Sequence, residues 1–204
     1  MTKDILKPQL WTPRPVEETI EVYTDWAANY DSDVGVRGYH TPRRLAEALS
    51  AHLPDRDAPV LDFGCGTGLS GLALRAAGIA PLHGTDITPA MLDIAKPKGA
   101  YDRLWQSEPG KLDTAPGTYR AIVAAGVVSL GAAPPETLDL LVNALAPGDL
   151  LAMSFNDPTL KDGSYDAHLD SHLAAGRLSL ILRAHGPHLD DVGMGSDILI
   201  LLRQ

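Results

Sequence analysis

A single cysteine, Cys65, stands among 204 residues, which excludes an intramolecular disulfide framework and any zinc site built from several thiolates. Basic side chains are in deficit, with 17 Lys and Arg against 26 Asp and Glu for a formal net charge of −9. The clustered positive charge on which phosphate-backbone affinity rests is therefore missing, and general nucleic-acid binding is not expected. No apolar run approaches the roughly 20 residues that span a bilayer. The first residues also do not join a basic region to an apolar core and a small-residue cleavage site. The expectation is a cytoplasmic protein without membrane association, whose partner is a small-molecule substrate; oligomeric state is not readable. Aromatic residues are scarce, at 5%, so their concentration at Tyr23, Trp26, Tyr30 and Tyr39 carries information.

What remains is ordinary for one well-buried globular core: 45% hydrophobic and 21% charged residues. Residues 1–14 mix prolines with isolated apolar residues and read as an arm. From Pro15 to about Tyr30, Val16, Ile20, Tyr23 and Ala27 recur at helical spacing, with Glu17 and Glu18 favourably placed in the first turn. Residues 31–42, with two glycines and a closing Thr-Pro, suit a loop feeding a helix over 42–53. Beyond this lead-in (15–57), strand-like runs at 59–63, 81–86, 102–106, 119–125, 149–155, 177–185 and 197–203 alternate with helical patterns at 69–78, 89–96, 134–145 and 166–176. Short continuous apolar strands separated by helices imply an α/β fold, a mainly parallel sheet covered on both faces. The link at 184–196 contains no helical stretch, so the last two strands are expected to form an antiparallel pair at one edge. The single domain spans 15–204, its core at 58–156 and the rest of its sheet at 157–204.

The stretch VLDFGCGTGLSG (60–71) places four glycines within eight residues after an apolar strand. In a doubly wound sheet such a loop lets backbone N–H groups approach a ligand beyond the carboxyl ends of the strands. Two ligands fit. Gly66, Gly68 and Gly71 spell G-x-G-x-x-G, a weak dinucleotide signal. S-adenosylmethionine is the other. Register separates them: Asp62 ends the strand, and a carboxylate beside a pyrophosphate would repel it by about 1 kcal/mol or more, whereas a sulfonium and an ammonium would be attracted.

VLDFGCGTG resembles the first motif of class I S-adenosylmethionine-dependent methyltransferases, and the resemblance continues through GTDITPAML, YDRLWQSE and YRAIVAAGVVS, covering roughly 58–156. The N-terminal VYTDWAANYDSDVGVRGYHTP is similar to the small Williams–Beuren region methyltransferase-like proteins. The resemblance implies a doubly wound, seven-stranded Rossmann-like sheet ordered 3-2-1-4-5-7-6 with strand seven antiparallel, and S-adenosylmethionine as cofactor. It also implies binding residues: Asp62, Gly64, Cys65, Gly66 and Gly68 in the loop, Asp86 on the ribose hydroxyls, Ile87 and Met91 about the adenine, Glu108 near the adenine amino group, and Ala125, Gly126 and Tyr30 at the methionine end. Where His-Gly-His is common in that group, this chain has Leu130, Gly131 and Ala132. No catalytic residue is assigned; Tyr30, Tyr39 and His40 are candidate bases, and 16–39 is a candidate lid.

The expected activity is methyl transfer to a small-molecule acceptor. A cofactor-binding protein without turnover and an NAD(P)-dependent oxidoreductase are the alternatives. His168 and His172 have a spacing that metals use, but Leu169 stands where a zincin would need Glu and no carboxylate set is evident, so a solvated helix face and no metal are expected. NDPTL at 156–160 is similar to the N/D-P-P-x loop of nucleobase amino-methyltransferases but follows the wrong strand. The absence of a Pro-Cys pair excludes covalent cytosine-ring chemistry.

Overall fold

The computed structural model describes residues 8–204, so the first seven residues of the expected arm lie outside the described residues. Seven strands form one sheet: β1 (Val60–Phe63), β2 (Leu82–Asp86), β3 (Arg103–Gln106), β4 (Ala121–Ala124), β5 (Leu150–Asn156), β6 (Leu178–Leu189) and β7 (Met194–Arg203). Their order is β3-β2-β1-β4-β5-β7-β6. The pairs from β3 to β5 are parallel, and β7 runs antiparallel to both β5 and β6. The expected order and the reversed last strand are both present.

The continuous apolar strands are explained by burial on two faces. In β4, Ala121 and Val123 meet a layer formed by Leu45, Leu49 and Leu74, while Ile122 and Ala124 meet Leu138, Leu141 and Leu169. In β5 and β7, alternate residues divide between the same two layers, Ala152 and Ile198 against Met153 and Leu199. With a side-chain period of two and both faces covered, every position has to be apolar. The covering helices are α2 (Thr41–His52) and α3 (Leu69–Ala76) on one face, and α5 (Thr137–Asn143) and α7 (Ser164–Ala174) on the other.

Three boundaries differ from expectation. Helix α1 runs Val16–Gly35, five residues past its expected end at Tyr30, because its aspartates find side-chain partners within the helix and beyond it. Trp26 Nε1 donates to Asp33 at 2.8 Å, and Asp31 accepts from the Thr67 hydroxyl at 2.6 Å and from the Lys98 ammonium. These contacts outweigh local turn propensity, which is a weak prior. The link at 184–196 is mostly strand, interrupted only by a 3₁₀ turn at Asp190–Val192. A short helix, α6 (Asp157–Asp162), follows β5; the Asn156 side chain caps it by accepting from the Thr159 N–H at 3.1 Å. NDPTL is thus a helix start. The described part of the arm opens with a 3₁₀ turn at Pro8–Trp11, and the backbone of Leu10 lies against Gly131 in the loop after β4.

Candidate cofactor site

The glycine loop leaves β1 at Phe63 and enters α3 at Leu69. Gly64 has φ +66, and a Cβ there would fall 2.5 Å from Val127 Cγ2, so both conformation and space demand glycine. The loop is pinned across the sheet. Cys65 N–H donates to the Thr85 carbonyl at 3.0 Å. Asp86, at the end of β2, accepts from the Gly66 N–H and the Thr88 N–H, each at 2.8 Å. One carboxylate thereby ties the loop after β1 to the start of α4 (Pro89–Ala95).

A second acid stands beside it. Asp62 is 0% exposed; its Oδ2 accepts from Ser70 Oγ at 2.6 Å and Tyr101 OH at 2.7 Å, and its Oδ1 finds no hydrogen-bond partner among the described residues. Burial pushes its carboxyl up to about 6, opposed by those two hydrogen bonds and reinforced by the charge of Asp86. Asp86, 9% exposed, is also raised by burial, while the N–H groups of Thr88 and Gly66 pull it back. Burying two acids at the ends of adjacent strands is costly. It leaves acceptor oxygens at the strand ends, an environment that suits cationic and hydroxyl-bearing ligands. Burial also raises the Cys65 thiol, with Asp62 and Asp86 adding to the effect. A protonated, unreactive thiol follows.

The N-terminal segment lies over this pair. Burial raises the hydroxyls of Tyr23, Tyr30 and Tyr39; Tyr23 and Tyr30 also feel the charge of Asp86, and Tyr39 that of Asp62. Trp26 stacks on Tyr23 and meets Tyr30 edge-on with ring centres 4.7 Å apart. Asp31, between Thr67 of the loop and Lys98, anchors the helix. Of the three candidate bases, Tyr30 and Tyr39 are buried within the electrostatic influence of the acid pair, while His40 Nε2 lies 2.6 Å from the exposed Asp190. Raised tyrosine hydroxyls remain protonated and act as donors.

The other positions separate. Met91 is buried on the first turn of α4 and Ile87 half-buried just before it. Ala125 and Gly126 close β4, with the Gly126 N–H donating to Ser154 at 2.9 Å. Glu108 is exposed and paired with Lys111. A cleft of about 390 Å³ between α4 and β3, lined by Trp105 and Leu92, touches none of the glycine loop.

Several participants had no local signal. Tyr101 and Ser70 carry the Asp62 carboxylate from 39 and 8 residues away. His188 stacks edge-on with Tyr39, its Nδ1 2.7 Å from the Thr41 hydroxyl, and burial pushes it down to about 4, leaving a neutral ring. The expectation for the histidine pair on α7 is corrected. His172 is fully buried, not solvated, and α5 supplies the carboxylate thought to be missing: Asp139 lies 3.0 Å from both His168 Nε2 and His172 Nε2. These three residues come from two helices separated by the whole of β5, beyond the reach of a spacing argument.

Comparison with known proteins agrees with this geometry. A family described as a methyltransferase domain matches residues 60–148. Human methyltransferase-like protein 27 is 36% identical over 67% of this chain and 57% of its own length. A ribosomal protein L11 methyltransferase of Paraburkholderia phymatum is 27% identical over 70% of this chain and 50% of its own. The chain therefore spans about half the length of these curated relatives. Magnesium protoporphyrin IX methyltransferase from Synechocystis with bound SAH superposes with a TM-score of 0.66 at 20% identity, over 86% of this chain and 87% of that one, a likeness of fold. Residues 60–148, which carry the glycine loop and the acid ending β2, are thus a methyltransferase domain, set in a sheet whose fold is shared with solved methyltransferases.

Proposed function

We propose that the chain binds S-adenosylmethionine at the carboxyl ends of β1, β2 and β4 and transfers its methyl group to a small-molecule acceptor. The observation that carries this is the pair of buried acids. Each Asp86 oxygen already accepts one backbone N–H, and a carboxylate oxygen has a second lone pair, so two ribose hydroxyls can still be received. Asp62 keeps one buried oxygen without a partner among the described residues, an acceptor suited to a cationic ligand's donor. Ile87 and Met91 offer apolar flanks for a base, and Tyr30 with the Ala125–Gly126 backbone would border the methionine portion.

When bound, the cofactor supplies an electrophilic methyl carbon on a positively charged sulfur. The chain's own residues orient and enclose. In this reading Tyr30, Tyr39 and neutral His188 would hold an acceptor by hydrogen bonds and α1 would exclude water, so that rate comes from positioning and desolvation. The small-molecule reading is supported by the anchoring of α1 to the glycine loop through Asp31, Thr67 and Lys98, which would narrow the approach of a folded protein. A protein acceptor is the second reading, favoured by the names of the L11 methyltransferase relatives. Cytoplasmic location is kept as part of this proposal; among the described residues no helix is long and apolar enough to cross a membrane.

The test is incubation with methyl-labelled S-adenosylmethionine and a cell extract split by ultrafiltration into a small-molecule filtrate and a protein fraction. Enzyme-dependent label in the filtrate is expected. Label confined to the protein fraction would replace the small-molecule acceptor by a protein, and no enzyme-dependent label in either would leave a binding protein without turnover.

A further inference from the structure

On the outer face of the sheet, away from the glycine loop, three metal-ligating side chains converge. Asp139 projects from α5, and His168 and His172, one helical turn apart on α7, place both Nε2 atoms 3.0 Å from its two oxygens, Oδ2 and Oδ1 respectively. One donor atom from each of the three lies within 4.8 Å of the others. Two ligands held at about 2.0–2.1 Å by a tetrahedral zinc ion stand about 3.3 Å apart, so the carboxylate-to-imidazole spacing already approximates a coordination edge. We propose that Asp139, His168 and His172 bind one divalent transition-metal ion, zinc in the first instance, clamping α5 to α7.

A purely structural hydrogen-bond network explains the cluster less well. His172 is 0% exposed, its Nδ1 has no hydrogen-bond partner among the described residues, and its Nε2 has only the Asp139 carboxylate at 3.0 Å. A fully buried imidazole whose polar atoms are only partly satisfied is costly. The i, i+4 pair on one helix face is the arrangement by which a helix presents two imidazoles to one ion, and a carboxylate from a neighbouring element gives a two-nitrogen, one-oxygen set with a fourth position open to water. Arg177 competes: its Nη2 lies 3.6 Å from Asp139 Oδ1. That side chain is 41% exposed, and it can swing to solvent when a cation arrives.

The experiment uses the full chain after chelator treatment and dialysis, titrated with zinc chloride in competition with a chromophoric zinc chelator, alongside His168→Ala and, as a control on another histidine outside the cluster, His52→Ala. One zinc per chain is expected for wild type and His52→Ala. Affinity should be at least tenfold weaker in His168→Ala, and excess zinc should raise Tm by about 5 °C in wild type but not in that variant. His168 is half-buried, so the variant is expected to fold, which circular dichroism verifies. No uptake by the folded wild type, or equal uptake by folded His168→Ala, would overturn the proposal.

Discussion

The two halves of the sheet are built differently. Strands β1 to β4 are four or five residues long, whereas β5, β7 and β6 run for seven, ten and twelve. The short half ends in polar groups held against their preference: Asp62 and Asp86 are buried with raised carboxyls, and the loop between them needs glycine. The long half pairs its charges, with Arg183 bridging the partly exposed Asp166 and the buried Asp197 at 2.9 and 2.6 Å, and fills its interior with Phe155, Leu199 and Leu201. Early strand termination crowds backbone amides and acids at one end, and the antiparallel extension opposite supplies the apolar burial that offsets them. Strain concentrates where binding is proposed.

Each half can be broken separately. The largest effect is expected from Phe155→Ala, which removes a ring only 1% exposed and should cost about 3–5 kcal/mol of unfolding free energy. Urea titration measures this, and cofactor affinity should be unchanged if the folded fraction is corrected for. Asp62→Asn should act in the opposite sense. An acid whose folded pKa is raised binds its proton more tightly in the folded state, so its contribution is most favourable below the ordinary carboxylate value and is lost as pH rises from about 3.8 through about 6. Relative to wild type the variant should gain about 1–3 kcal/mol above pH 6 and nothing near pH 4, while binding S-adenosylmethionine more weakly. Equal pH profiles for the two proteins would show that Asp62 is not held as described.

Much of this contrast was legible in the sequence, and the reasons are local. The apolar runs at β1, β4 and β5 announced two-sided burial, and VLDFGCGTG announced a backbone-lined loop; both depend on neighbours in the chain. The strand order came from resemblance alone. What escaped depends on distance. Tyr101 reaching Asp62, Asp31 anchored between Thr67 and Lys98, and Asp139 completing the histidine pair all join residues 29 or more positions apart, and no spacing rule spans that. Helix α1 overran its expected end for the same reason.

Smaller effects sharpen the site itself. Asp86→Ala should weaken S-adenosylmethionine binding at least tenfold, since two charge-assisted hydrogen bonds would go, each worth about 1.5–3 kcal/mol. Equilibrium dialysis at matched folded fraction reads it, and normal affinity would reduce Asp86 to a loop brace. The smallest effect is expected at Glu108, exposed and paired with Lys111. Glu108→Ala should leave affinity within about threefold, and a larger loss by the same dialysis would support it as an adenine-recognising acid.

The central claim is that the buried acid pair selects a cationic nucleoside over a dinucleotide phosphate. Isothermal calorimetry of the wild-type chain at pH 7.5, titrating S-adenosylmethionine and NAD⁺ in parallel, tests it most directly. Saturable one-site binding of S-adenosylmethionine with no measurable heat from NAD⁺ is the predicted result; NAD⁺ binding as tightly as S-adenosylmethionine would contradict it.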